Sequence, residues 1–137
     1  MGDIVNYIKR NNDGIEVSDE FGIISIDSSL KKYINSLCLK KLSTYDGRRT
    51  STGKFLGANS NIPIYVNDEI FLYPTKSIRC FDTVFVNFFE VLSVKKVDKG
   101  YTSFIFTNLS EIILEISIHK IKKQHARILK IIEYLNN

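Results

Sequence analysis

The stretch Ile62–Thr75 reads IPIYVNDEIFLYPT. Its two halves, IPIYV and EIFLYP, are rich in β-branched and aromatic residues that alternate with period two, and the ND between them is a turn former. The stretch therefore reads as two strands joined by a tight turn. The same period continues downstream in TVFVNFFEVLSVKKV (Thr83–Val97), YTSFIFT (Tyr101–Thr107) and EIILEIS (Glu111–Ser117). DKG and NLS mark the turns between them, and Gly100 is available for a positive φ in the first. These last three strands follow one another with short links, which predicts an antiparallel meander.

Outward from this block the period changes. Ile4–Ile8 and FGIISI (Phe21–Ile26) read as short strands separated by the polar turn RNNDG. Asp27 and Ser28 are positioned to cap a following helix. On that helix Leu30, Ile34, Leu37 and Cys38 share a face, with Lys31, Lys32, Lys40 and Lys41 elsewhere. At the other end Ile118, Ile121, Ile128, Leu129, Ile132 and Leu135 form the apolar side of an amphipathic helix. Lys120, Lys123, Arg127 and Lys130 form its basic side. The expected fold class is α+β: an antiparallel β-sheet (meander) with a helix before it and an amphipathic C-terminal helix, in a single domain over residues 1–137.

Composition narrows the function. A hydrophobic share of 44% in 137 residues is enough for an ordinary core and argues against disorder. Cys38 and Cys80 are too few for a disulfide framework and read as reduced, structural thiols of a cytoplasmic protein. The N-terminus lacks a signal-peptide pattern, and no apolar run approaches the ~20 residues that span a bilayer. The net charge of +4 is segregated. Residues 1–27 carry two positive and six negative charges (−4); residues 28–58 carry seven and one (+6). Residues 59–117 carry five and seven (−2); residues 118–137 carry five and one (+4). Two basic segments in an acidic or neutral chain suit a polyanionic partner, or are simply two solvated faces.

The first basic segment contains DGRRTSTGKFLG (Asp46–Gly57). A phosphate-binding P-loop has four residues between its glycines and a hydroxyl after Gly-Lys, which ligates Mg²⁺. Here five residues separate Gly47 from Gly53, and Phe55 takes the hydroxyl position. As a continuous helix the segment would hold two interior glycines, each costing ~1 kcal/mol relative to alanine. A short helix broken by a glycine-containing loop is the expectation. No G-x-S-x-G, no H-E-x-x-H and no metal-ligand spacing occurs. His125 falls on the apolar side of the last helix and reads as a satisfied core histidine. The chain is expected to be no enzyme, with no cofactor and no metal.

The block STYDGRRTSTGKFLGANSNIPIYVNDEIFLYPTKS (Ser43–Ser77) resembles the central motif of the competence transcription factor (ComK) family. The matching positions are Ser43, Thr44, Tyr45, Gly47, Arg48 and Arg49, then Pro63, Ile64, Val66, Ile70, Phe71, Leu72, Pro74 and Thr75. A weaker echo lies in Ser117, Gln124 and Arg127, and the resemblance covers roughly residues 36–132. After Thr75 the sequence departs from the pattern: Arg79 and Cys80 are displaced, and the family's proline, tryptophan and histidine are missing.

The resemblance implies a cytoplasmic, DNA-binding transcriptional activator. Such a protein recognises AT-rich double-stranded DNA largely through the minor groove, as a homodimer or higher homo-oligomer, with no membrane association. The expected DNA-binding residues are Arg48, Arg49, Thr50, Ser51, Thr52 and Lys54, extended by Lys40 and Lys41, by Lys76 and Arg79, and by Lys123 and Arg127 with Lys120 and Lys130. Arginine and lysine neutralise phosphates, and a narrow AT-rich groove attracts inserted arginine. Phe81, Phe85, Phe88 and Phe89 are expected in the core. The alternative is a non-enzymatic adaptor whose basic faces bind an acidic protein.

Overall fold

The computed structural model describes residues 4–137; the first three residues of the expected domain lie outside it. Nine strands and three helices follow in the order β1 (Val5–Asn11), β2 (Gly14–Asp19), β3 (Gly22–Ile26), α1 (Leu30–Leu39), α2 (Tyr45–Leu56), β4 (Ile64–Asn67), β5 (Ile70–Pro74), β6 (Val84–Asn87), β7 (Val91–Asp98), β8 (Tyr101–Phe106), β9 (Glu111–Leu114) and α3 (Ile118–Leu135). The fold is α+β, as expected, but it has two antiparallel sheets. One has six strands in the order β3-β2-β1-β6-β5-β4, and the other is the meander β7-β8-β9.

The six-stranded sheet is the middle layer. Period two sends alternate residues of its central strands into two different cores. In β5, Ile70 and Leu72 face α1 and α2, whereas Phe71 and Tyr73 face the second sheet and α3. In β6, Phe85 points to the first core and Val84 and Val86 to the second. Both strands are buried throughout, so they read as continuous apolar runs. Helix α1 covers the first core with Leu30, Ile34, Leu37 and Cys38, the face that the sequence periodicity predicts. Its cap is Ser29, whose Oγ accepts from the Lys32 amide; neither Asp27 nor Ser28 fills that role. Gly100 takes φ 77° in the β7–β8 hairpin.

Other expectations are corrected. Residues 14–19 form a strand; the sequence reading places Gly14 in the preceding turn and assigns 15–19 to no element, although Ile15, Glu16, Val17 and Ser18 alternate with period two. The expected single strand Thr83–Val97 is two strands in different sheets. The chain changes sheet at Asn87, whose buried side chain donates to Val5 O (2.7 Å) and Glu69 O (2.9 Å) and accepts from the amides of Phe71 (2.9 Å) and Phe89 (3.2 Å). A one-turn 3₁₀ helix, Phe88–Glu90, follows. Phe85 is core and Phe88 and Phe89 are partly buried, but Phe81 is exposed on the β5–β6 loop.

On α3 the buried residues are Ile121, Gln124, Ile128 and Ile131, so Leu129 and Leu135 lie outside the core. The buried face is rotated from the expected one because Gln124, although polar, finds backbone acceptors in the interior. His125 packs edge-on against Tyr73 and Phe88. Burial keeps the Tyr73 phenol protonated, and its hydroxyl lies 2.7 Å from His125 Nε2. The imidazole pKa is itself lowered by burial. Cys38 is buried and Cys80 exposed, both as free thiols.

Candidate functional site

The segment expected to be a short helix broken by a glycine-containing loop is one continuous helix, α2. Thr44 caps it, Oγ1 accepting from the Gly47 amide at 2.9 Å, and Gly57 closes it in the left-handed conformation at φ 65°. Neither interior glycine is there for looseness. A Cβ on Gly47 would sit 2.9 Å from the capping Thr44 hydroxyl, and one on Gly53 would sit 2.9 Å from the Ala58 carbonyl. Gly53 lets the chain after α2 fold back onto the helix, where the Ala58 amide donates to Gly53 O at 3.0 Å. The caps and this close approach outweigh the helix propensity lost at two glycines.

On α2 the exposed stripe is Gly47, Thr50, Ser51 and Lys54, small or polar at spacings of three and four. Partly buried arginines flank it on both sides. Arg48 donates from Nε to Ser43 Oγ at 3.0 Å and lies 5.2 Å from the centre of the Tyr65 ring. Arg49 donates to Asn59 O at 2.9 Å. Thr52 is half-buried beside Arg48 and Phe55. Asp46 pairs with Lys31 at 3.1 Å rather than with Arg49; both side chains are well exposed, so the pair adds little to stability.

The chain from Gly57 to Asn61 runs between α2 and α3, and both helices grip its carbonyls. Gln124 Nε2 donates to Asn61 O (2.8 Å) and Pro74 O (3.4 Å). Arg127 donates to Asn61 O and to Gln124 Oε1, each at 3.3 Å. Asn59, Ser60 and Asn61 stay exposed, with Asn61 at φ 51°. The two helices also touch directly: the Phe55 and Tyr134 rings pack at a tilt with their centres 4.7 Å apart, and Lys130 Nζ lies 6.0 Å over the Phe55 ring. Ser117, Gln124 and Arg127 thus have separate structural roles. Ser117 caps α3 by accepting from the Lys120 amide, and the other two hold the loop.

Around this loop the structure brings Arg49, Thr50 and Lys54 of α2 together with Arg127 of α3. Arg79 joins them, because it lines one cleft with Lys31, Arg49 and Asn59–Asn61. Arg48, Ser51 and Thr52 instead line a separate depression with Phe55 and Tyr65, Lys130 reaches the Phe55 ring, and Lys123 is exposed on α3. Lys76 lines a different depression, where it pairs with Asp82 (2.5 Å) and Glu115 (2.7 Å). These carboxylates hold its pKa above the usual lysine value, and Lys76 in turn lowers that of Asp82. Lys40 lies at the far end of β5, beside Ile70 rather than Pro74, and Lys41 follows it. Among the described residues no carboxylate forms an ion pair with Lys54, Arg79, Lys123 or Lys130. Sequence reasoning missed Asn59, Ser60 and Asn61, because GANSN between a helix-stopping glycine and a proline looks like a plain linker.

Among the described residues no His, Cys, Asp and Glu side chains gather as a metal site, and no helix is long and apolar enough to cross a membrane. The features together define a two-sheet α+β protein with one clamped polar loop beside which Arg49, Arg79 and Arg127 lie. The chain belongs to the ComK protein family, whose model matches residues 5–137. The match extends the resemblance of the central block to essentially the whole described chain. It is a family of competence transcription factors, not of enzymes. No curated protein and no solved structure matches the chain.

Proposed function

We propose that this protein is a DNA-binding transcriptional regulator of the competence type that prefers AT-rich duplexes and reads them through the minor groove. The observation that carries the proposal is the loop Gly57–Asn61, held between α2 and α3 and flanked by Arg49, Arg79 and Arg127. An α-helix with its side chains is about 10–12 Å across, and the minor groove of B-DNA is only about 6 Å wide. Helix α2 is therefore too wide to enter it, whereas a narrow loop and single side chains are not. In this reading Asn59, Asn61 and Arg49 donate to the adenine N3 and thymine O2 acceptors of the groove floor. The guanine amino group would obstruct them, which favours A·T pairs.

The helices then serve the phosphates. Thr50, Ser51 and Lys54 of α2 face one strand; Lys123, Arg127 and Lys130 of α3 face the other. The small residues at 47, 50 and 51 let the α2 backbone come close. Arg48 is half-buried and stiffened by Tyr65, so it contributes charge at a fixed position. Lys76 contributes least, because two carboxylates already neutralise it.

Titration of AT-rich and GC-rich duplexes across a salt series tests this. The AT-rich duplex is bound more tightly, with a steep fall in log affinity against log salt. Lys54→Gln or Lys123→Gln lowers that slope by about 0.9 for each phosphate contact removed. Arg49→Lys keeps the charge but narrows the AT/GC difference, since lysine cannot reproduce the planar fork. Absence of duplex binding at low salt would overturn the proposal, and capture of an acidic protein instead would favour an adaptor.

A further inference from the structure

The turn between α1 and α2 carries a leucine where glycine is usual: the Leu42 amide on Leu39 O and the Ser43 amide on Cys38 O close α1 through a left-handed residue, so the fold needs that backbone but not a leucine. Leu42 has φ 58°, a left-handed conformation that is costly for a leucine and easy for glycine or asparagine. Its side chain is 98% exposed, so no packing offsets that cost. The turn is nevertheless pinned: the Lys41 amide donates to Cys38 O (2.9 Å), that of Leu42 to Leu39 O (3.0 Å) and that of Ser43 to Cys38 O (3.2 Å). Two exposed lysines, Lys40 and Lys41, stand immediately before it. Ser43, immediately after it, holds Arg48 at 3.0 Å. The result is a single exposed apolar side chain on a hydrogen-bonded, cationic turn, next to the helix that flanks the clamped loop.

Leu109 is a natural control within the same chain. It also has a left-handed backbone, at φ 70°, and is 75% exposed. Its neighbours, however, are Thr107, Asn108, Ser110 and Glu111, with no cation among them. Exposure and strain recur there; the basic flank does not.

We infer that Leu42 is a wedge that enters between base pairs from the minor groove, with Lys40 and Lys41 on the flanking phosphates. The inference rests on the DNA-binding reading above and adds a distortion to it. Apolar wedges on minor-groove proteins partly unstack a base step and kink the duplex. Pyrimidine–purine steps such as TA unstack at least cost, so the wedge selects a TA step within the AT-rich site. Leu42 precedes α2 and the loop Gly57–Asn61 follows it, so the two lie up to one helix length apart. That is about 18 Å for twelve residues, or roughly five base pairs. A flat bilayer fits less well, because one side chain on a narrow turn offers it little area.

The test uses the full chain and AT-rich duplexes with 2-aminopurine placed in turn at each step. Wild type raises the fluorescence severalfold at one TA step. Leu42→Asn suits the left-handed backbone, so it folds at least as well as wild type, and it abolishes the signal while lowering affinity by about tenfold or less. Leu42→Ala does the same, and Leu109→Asn leaves the signal intact. If wild type binds the duplex without a signal, or Leu42→Asn retains it, the wedge is refuted while the DNA-binding reading stands. If wild type binds no duplex, both fall. Leu42-dependent binding to phosphatidylserine vesicles without unstacking would refute the wedge and mark the turn as a membrane contact.

Discussion

Replacing Gly53 by alanine separates two opposing effects in α2 and connects the fold to the candidate site. In an exposed helix interior, glycine to alanine gains about 1 kcal/mol. At position 53 the new Cβ would sit 2.9 Å from the Ala58 carbonyl oxygen, with Ile62 side-chain atoms at 3.8 and 3.9 Å. The oxygen belongs to backbone anchored by the Ala58 amide on Gly53 O (3.0 Å) and by Arg49 on Asn59 O (2.9 Å), so it cannot simply swing away. Restoring ordinary contact requires the loop to move by a few tenths of an ångström or more, and overpacking of this kind costs about 1–3 kcal/mol. The net expectation is a loss of about 1 kcal/mol, or roughly 4 °C in Tm for a chain of this size.

Thermal melts followed by circular dichroism, with urea titrations, give the stability. Duplex titration should show a lower affinity as well, because the displaced loop takes the Asn59 carbonyl away from Arg49. Gly47→Ala is the contrast. There the contact is with the Thr44 hydroxyl, which can rotate, so a weakened cap and a gained propensity of about 1 kcal/mol each nearly cancel. A Gly53→Ala protein that melts higher than wild type would refute the argument that close approach, rather than chance, put glycine there.

Two further outcomes follow from the buried polar groups. Asn87→Ala orphans the Val5 carbonyl and the Phe71 amide in the interior and the Glu69 carbonyl at its border, so urea unfolding should show a loss of about 3–4 kcal/mol; Asn87→Leu should not rescue it, because volume is not what is missing. Burial lowers the His125 pKa, so just below pH 6.5 the unfolded chain takes up more protons than the folded one. Stability should be insensitive to His125 above that range and fall as the pH drops through the folded-state value; His125→Gln should flatten this part of a stability-versus-pH series.

By itself the sequence determined the elements whose apolar pattern repeats with one clean period. The face of α1, the strand pairs around Asn67–Glu69 and Asp98–Gly100, and the α+β class are of this kind, because burial on one face or two leaves a repeat that needs no knowledge of neighbours. The family block was legible too, since its turn, strand and basic residues stand in order along the chain. Tertiary structure alone decided the rest. Glycine counts against a helix until the Ala58 backbone is seen lying where a Cβ would be. Residues 83–97 read as one strand until Asn87 is seen satisfying the backbone on both sides of the break. Gln124 has no place on the expected apolar side of the last helix until the Asn61 and Pro74 carbonyls are placed beneath it. The clamped loop at Asn59–Asn61 is invisible in the same way: its partners, Arg49 and Gln124 with Arg127, are ten and sixty-odd residues away, and only folding puts these donors on carbonyls that the chain leaves unpaired.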